Sequence, residues 1–179
     1  MTDVIAIGEV LIDLTQTGVN ENGIPVFAAN PGGAPANVCV AVSRLGGKAA
    51  FIGKVGNDGF GNYLERVLQK ERVNTDGLCR SERATTMAVV SVQADGERDF
   101  HFNRGADAEL SVAEVDPDAV RKAKVFHFGS ISLIGPESRE ATWRALHAAR
   151  AAGVLVSYDP NYRASLWPDE QTAVSRMKE

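Results

Sequence analysis

Apolar positions in this chain change period repeatedly, and each change marks an element. Residues 4–8 (VIAIG) form a run rich in β-branched side chains that is too short for a helix and closes on glycine, which predicts a buried strand. Two half-polar runs follow at 11–16 and 24–29, around Asn20-Glu21-Asn22-Gly23, where Asn-Gly supplies the positive φ of a tight hairpin turn. Residues 34–45 then switch to helical spacing, with Val38, Val42 and Leu45 on one face and Gly46-Gly47 as the stop. After a strand predicted at 49–55, Asp58 caps a helix whose stripe runs through Phe60, Leu64, Val67, Leu68 and Glu71.

Period two returns at 84–93 and 97–103, joined by Ala94-Asp95-Gly96, and predicts a second hairpin. Asp116-Pro117 reads as a cap with proline at the first helical position, and residues 124–129 (KVFHFG) as the next strand. A helix at 136–152 ends on Gly153, a strand follows at 154–158, and Pro168-Asp169-Glu170 begins another helix. Strands alternating with helices predict an α/β fold, a mostly parallel sheet flanked by helices. The two hairpins, within about 10–30 and 84–104, predict a small separate β layer on one domain of residues 1–179.

Composition narrows the function classes. A chain with 44% hydrophobic residues, 23% charged residues and a net charge of −4 has the make-up of a soluble protein, and mild acidity without a basic run argues against a nucleic-acid surface. No window reaches the length of a membrane span, and MTDVIAIGEV lacks a basic segment followed by a long apolar stretch. Cys39 and Cys79 form no CxxC pair, which suits reduced core thiols in a cytoplasmic protein. His101, His127 and His147 have no ligand spacing, so no metal site is expected. Neither Gly47-Lys48 nor Gly53-Lys54 has the context of a phosphate-binding P-loop, and Gly56, Gly59 and Gly61 do not make the dinucleotide fingerprint.

Candidate chemistry gathers at a few polar and glycine positions. A helix that opens with Gly32-Gly33 presents unpaired N–H groups and lets a ligand approach closely, although a plain tight turn has the same sequence. Asn37, one turn on, can both give and take hydrogen bonds with a hydroxyl. Asp13 can accept from two neighbouring hydroxyls, or serve only as a turn cap. Phe102 and Arg104 offer an apolar face and a fork of donors, against the alternative of core packing for the aromatic. Asn161 and Arg163 follow a predicted parallel strand, at the edge where α/β folds bind ligands, or form a polar loop.

GEVLIDL at 8–14, PGGAPAN at 31–37, FIGKVGNDGFG at 51–61, RDFHFNR at 98–104, VFHFGSISL at 125–133 and YDPNYRASLWP at 158–168 are spread over nearly the whole length of the chain. These strings resemble the PfkB family of ribokinase-like carbohydrate kinases, and the GGAPAN wording is most similar to its fructokinases. The resemblance implies a ribokinase-like three-layer sandwich with a β-hairpin lid that is also used for homodimer contacts. It implies a sugar site of Asp13, Gly32, Gly33, Asn37, Phe102 and Arg104, with Asp159, Asn161 and Arg163 near the transferred phosphate. ATP and Mg²⁺ are the implied cofactors of the complete enzyme, with neither held tightly by this chain. Ala34-Pro35 stands where ribokinases read Lys-Gly, which disfavours ribose.

No GAGD-type element occurs in the chain, so the resemblance implies only its N-terminal portion, with the base aspartate beyond Glu179 and no catalytic residue within. The expected function is phosphorylation of fructose to fructose 6-phosphate by the complete enzyme, the chain alone being inactive. A 2-keto-3-deoxygluconate or adenosine branch kinase, or a non-catalytic sugar-binding or dimerisation fragment, are the alternatives.

Overall fold

The structure, a computed structural model, describes residues 1–92 and 98–179; the expected turn Ala94-Asp95-Gly96 lies outside the described residues. In chain order the main elements are β1 (Thr2–Ile7), β2 (Leu11–Val19), β3 (Pro25–Gly32), α1 (Ala34–Arg44), β4 (Ala49–Gly56), α2 (Gly59–Lys70) and β5 (Asn74–Ser81). They continue as β6 (Met87–Val92), β7 (Arg98–Asn103), α3 (Pro117–Arg121), β8 (Ala123–Gly129), α4 (Pro136–Ala151), β9 (Leu155–Asp159) and α5 (Glu170–Lys178). Five strands form a parallel sheet in the order β5-β4-β1-β8-β9, and four form a second sheet in the order β3-β2-β6-β7.

Strand alternation sends side chains to two cores, one on each face of the parallel sheet. Ile5, Ile7, Phe126 and Phe128 face the small-residue stripe Ala141, Ala145 and Ala149 of α4. Ala6, Phe51 and Val55 face Ala36 and Cys39 of α1 and Leu64 and Leu68 of α2. Val10 and Ile12 extend this second core into β2, so the second sheet is packed on the body rather than hung from a linker. The result is a helix–sheet–helix sandwich with a mostly parallel sheet and a β extension.

Two details differ from the hydrophobic pattern. The buried face of α1 is Pro35, Ala36 and Cys39, whereas Leu45 is 88% exposed. Small residues let the helix lie close to the sheet; Val42 of the expected face does pack against this core, but a pattern weighted by large apolar residues misses Pro35, Ala36 and Cys39 and wrongly includes Leu45. Strand β5, NTDGLCRS, carries no apolar run and no sequence signal; it is an edge strand formed by pairing with β4, and only one of its sides meets the core. Asp58 does cap α2, accepting from the Gly61 N–H at 2.7 Å, and Gly46 follows α1 with φ 89°.

Candidate functional site

The carboxyl ends of β1, β4, β8 and β9 lie along one edge of the parallel sheet, and the first turn of α1 sits over them. Pro35 holds it there. Its Cγ is 2.7 Å from where a Cβ on Gly8 would stand and 3.8 Å from the same point on Gly129, whose other neighbour is the Asp159 carbonyl oxygen at 3.5 Å. Strand ends that carried side chains would push the helix away. Gly33, at φ 108°, is the N-cap, and a Cβ there would strike the Glu9 carbonyl oxygen and stand 2.9 Å from Val10 Cα.

The register of the second sheet places Asp13 opposite Asn30 on β3 and Ala88 on β6, and Ala88 opposite Phe102 on β7. Directly paired residues share a face, so Asp13 and Phe102 project to the same side two strands apart, about 10 Å. The Asp13 carboxyl also occupies the space a Gly32 side chain would need. Burial raises its pKa, and the positive charge of Arg163 opposes that rise. Asp13, Gly32, Gly33 and Arg163 are thus brought together at one end of the sheet.

The other expected residues are placed less uniformly. Asn37 is exposed and lines a groove of about 230 Å³ between α1 and α2 with Val10, Gly32, Val40 and Leu64. Arg104 does not present a bare fork: its Nε and Nη2 donate to Asp107 Oδ2 at 3.2 and 2.5 Å. Asp107 in turn accepts from the Thr86 hydroxyl, which itself accepts from the Gly105 N–H at 2.7 Å. Asp159 is exposed and accepts from the Asn161 N–H at 3.0 Å, with Asn161 at φ 40°. Arg163 is exposed as well and donates to the Tyr162 carbonyl at 3.1 Å.

Thr85 joins the second sheet to the body. Its N–H and hydroxyl donate to Asp58 at 2.7 and 2.8 Å, and its hydroxyl accepts from Gly56 at 3.0 Å. Burial works against the ionised Asp58, but these bonds and that from Gly61 outweigh it and hold the carboxyl below its ordinary value. No group of three or more His, Cys, Asp or Glu suited to a metal ion occurs among the described residues.

Sequence reasoning missed Glu9, Thr86 and Asp107. Glu9 follows the β1 glycine, is 3% exposed, and its Oε1 accepts from the Ala34 N–H at 3.0 Å. Desolvation, with the Asp107 charge adding to it, pushes its pKa up to about 7; the backbone N–H groups of Glu9 and Ala34 and the Arg104 charge pull the other way. A pKa raised from 4.5 on folding contributes stability that is complete below that value and is lost as pH rises through about 7. Calorimetry at pH 5 and pH 8 should therefore show wild type losing more stability over that interval than a Glu9→Gln variant; parallel curves would mean that Glu9 titrates as it does in the unfolded chain.

Comparison with known proteins bears on the family and the fold. The family described as pfkB family carbohydrate kinase matches residues 1–179. The chain is 46% identical over 180 residues to probable fructokinase-5 of Arabidopsis thaliana and 47% identical to fructokinase-2 of Solanum habrochaites, covering 98% of this chain and 56% and 55% of theirs. It thus spans little more than half the length of these curated relatives. The solved fructokinase of Xylella fastidiosa superposes with a TM-score of 0.91 at 37% identity, covering 99% of this chain and 56% of that one. The same enzyme has been solved with bound ATP. A sugar kinase of Pyrococcus horikoshii superposes with a TM-score of 0.88 at 35% identity, covering 98% and 61%.

Proposed function

Because the chain belongs to the pfkB family of carbohydrate kinases, we propose that it forms the sugar-holding part of an ATP-dependent kinase that converts fructose to fructose 6-phosphate. The observation that carries this reading is the half-buried Asp13 carboxyl beside a Gly-Gly turn at the carboxyl edge of the sheet. Fructokinases among the relatives support the sugar, and the ATP-bound relative supports the phosphate donor.

In this reading Asp13 accepts from two sugar hydroxyls, Gly32 and Gly33 allow close approach, and Asn37 reaches a further hydroxyl from α1. Phe102 offers the ring an apolar face from the same side of the sheet as Asp13. Arg104, held by Asp107, turns its remaining N–H donors to a sugar hydroxyl. Asp159, Asn161 and Arg163 stand near the transferred phosphoryl group, whose reaction asks the protein for positioning and charge neutralisation more than covalent chemistry. Mg²⁺ bound with ATP would neutralise its phosphates, and no residue of this chain is assigned as its ligand. The general base is likewise assigned to no residue here. Free thiols at Cys39 and Cys79, with the Cys39 pKa pushed up to about 12 by burial, suit a reduced, cytoplasmic protein.

The test is a coupled assay of the intact protein with ATP and fructose, ribose or 2-keto-3-deoxygluconate. Fructose should give the highest kcat/KM, by about tenfold or more over each competitor, since a site built to hydrogen-bond a hydroxyl rejects analogues that leave it unpaired. A higher value for either competitor would overturn the assignment.

We also propose that the second sheet is a lid through which two copies pair. Val19, Ile24, Val26 and Phe27 are each exposed on β2, β3 and their connection, with Val26 and Phe27 on opposite faces of the edge strand β3, and a second copy laid along that edge would cover them. Light scattering should report a dimer that Val26→Lys with Phe27→Lys converts to monomer; a monomeric wild type, or a dimer indifferent to both charges, would remove the lid-dimer proposal.

A further inference from the structure

Glu9 lies where the chain leaves β1 for the second sheet, and it touches the Gly-Gly turn twice. Its side chain takes the Ala34 N–H at 3.0 Å, and its carbonyl oxygen lies where a Gly33 side chain would be. The other carboxyl oxygen, Oε2, is buried and has no hydrogen-bond partner among the described residues. A helix cap needs only one oxygen, and an exposed Ser or Asp would serve at no desolvation cost. The cost has been accepted here beside Asp107, itself 5% exposed, whose partners are Arg104 and Thr86.

The charge balance of this cluster is informative. Two buried carboxyls share one guanidinium, and that guanidinium is already bonded to Asp107. An ionised Glu9 would be a second buried negative charge without its own counter-ion, whereas a neutral one leaves a single balanced pair.

We propose that Glu9 is a positioning residue of the sugar cradle, acting as an uncharged carboxylic acid that locks Gly33 and the first turn of α1 in place and braces them against the Arg104–Asp107 pair. It acts through the turn and does not itself touch sugar. The assignment rests on the fructokinase reading, because it takes Gly32, Gly33 and Asp13 as the sugar cradle. The direction of the Glu9 titration agrees with it but is not its basis.

The test compares wild type, Glu9→Gln and Glu9→Ala in the intact protein, after circular dichroism has established that each is folded. Glutamine keeps the shape and the uncharged oxygen acceptor for Ala34. It should hold the fructose KM within about twofold of wild type. Alanine frees the turn and should raise the fructose KM by about tenfold or more, with ATP KM and kcat within about threefold, because a small misplacement of a binding group is costly. Glutamine as damaging as alanine would overturn the uncharged role, and an alanine variant with unchanged fructose KM would reduce Glu9 to a structural cap. If wild type phosphorylates no sugar, the functional reading fails separately, and amide exchange at residues 32–34 decides the Glu9 assignment: protection kept by glutamine and lost with alanine supports it, equal protection in all three contradicts it.

Discussion

Replacing Asp13 by asparagine is expected to raise the fructose KM of the intact protein by about tenfold or more, while the ATP KM stays within about twofold. The substitution keeps the side-chain shape but turns one acceptor oxygen into a donor and removes the charge. A hydrogen bond to a charged group is worth about 1.5–3 kcal/mol, and 1.4 kcal/mol is tenfold in affinity, so the loss of one such bond is enough for the effect. Asp13 is half buried, which limits competition from water, and burial has already raised its pKa against the pull of Arg163. Gly32, beside the carboxyl, has no side chain to take over the role. Steady-state kinetics with each substrate varied in turn checks the claim; equal fructose KM values for wild type and variant would return Asp13 to the strand as a structural residue.

Gly33→Ala should be strongly destabilising, because it combines backbone strain with a backbone clash. At φ 108° an L side chain is strained, at a cost of about 1–3 kcal/mol. The added Cβ also meets the Glu9 carbonyl oxygen and stands 2.9 Å from Val10 Cα and 3.0 Å from the Glu9 carbonyl carbon, all backbone atoms that no rotamer change can move. Overpacking of this kind costs about 1–3 kcal/mol more. A total of about 2–6 kcal/mol is a large share of the 5–15 kcal/mol that typically separates folded from unfolded protein. Gly59→Ala in the first turn of α2 is the control, since nothing lies within 4 Å of its Cβ and alanine suits a helix. Urea unfolding should show a loss for Gly33→Ala and little change or a gain for Gly59→Ala; a loss under about 1 kcal/mol at Gly33 would mean the turn relaxes around the methyl.

What could be read from the chain was what short stretches encode. The alternation of β1, α1, β4 and α2 follows from period changes, glycine stops and the Asp58 cap, and the structure carries them at nearly the expected residues. Asp13, Gly32 and Gly33 were legible because each sits in a local string with a physical reason for its residue type. Strand β5 was not, because NTDGLCRS becomes a strand only through its pairing with β4, a tertiary event. The buried face of α1 was only partly read: Val42 packs against the core as expected, but closeness of packing, which favours Pro35, Ala36 and Cys39, outweighed side-chain size and left Leu45 exposed. Glu9 and Asp107 left no linear trace at all: they are far apart in the chain, and only the fold puts two carboxyls and Arg104 in one buried cluster. Phe102 could be named from its local string, but its relation to Asp13 comes only from register across β2, β6 and β7.

The most direct test of the account is a crystal structure of the intact protein with fructose. The sugar should lie at the carboxyl edge of the parallel sheet, with the Asp13 carboxyl accepting from its hydroxyls within about 2.5–3.0 Å and the Gly32-Gly33 turn against the ring. Fructose bound away from Asp13 and this turn, with the cradle untouched, would contradict it.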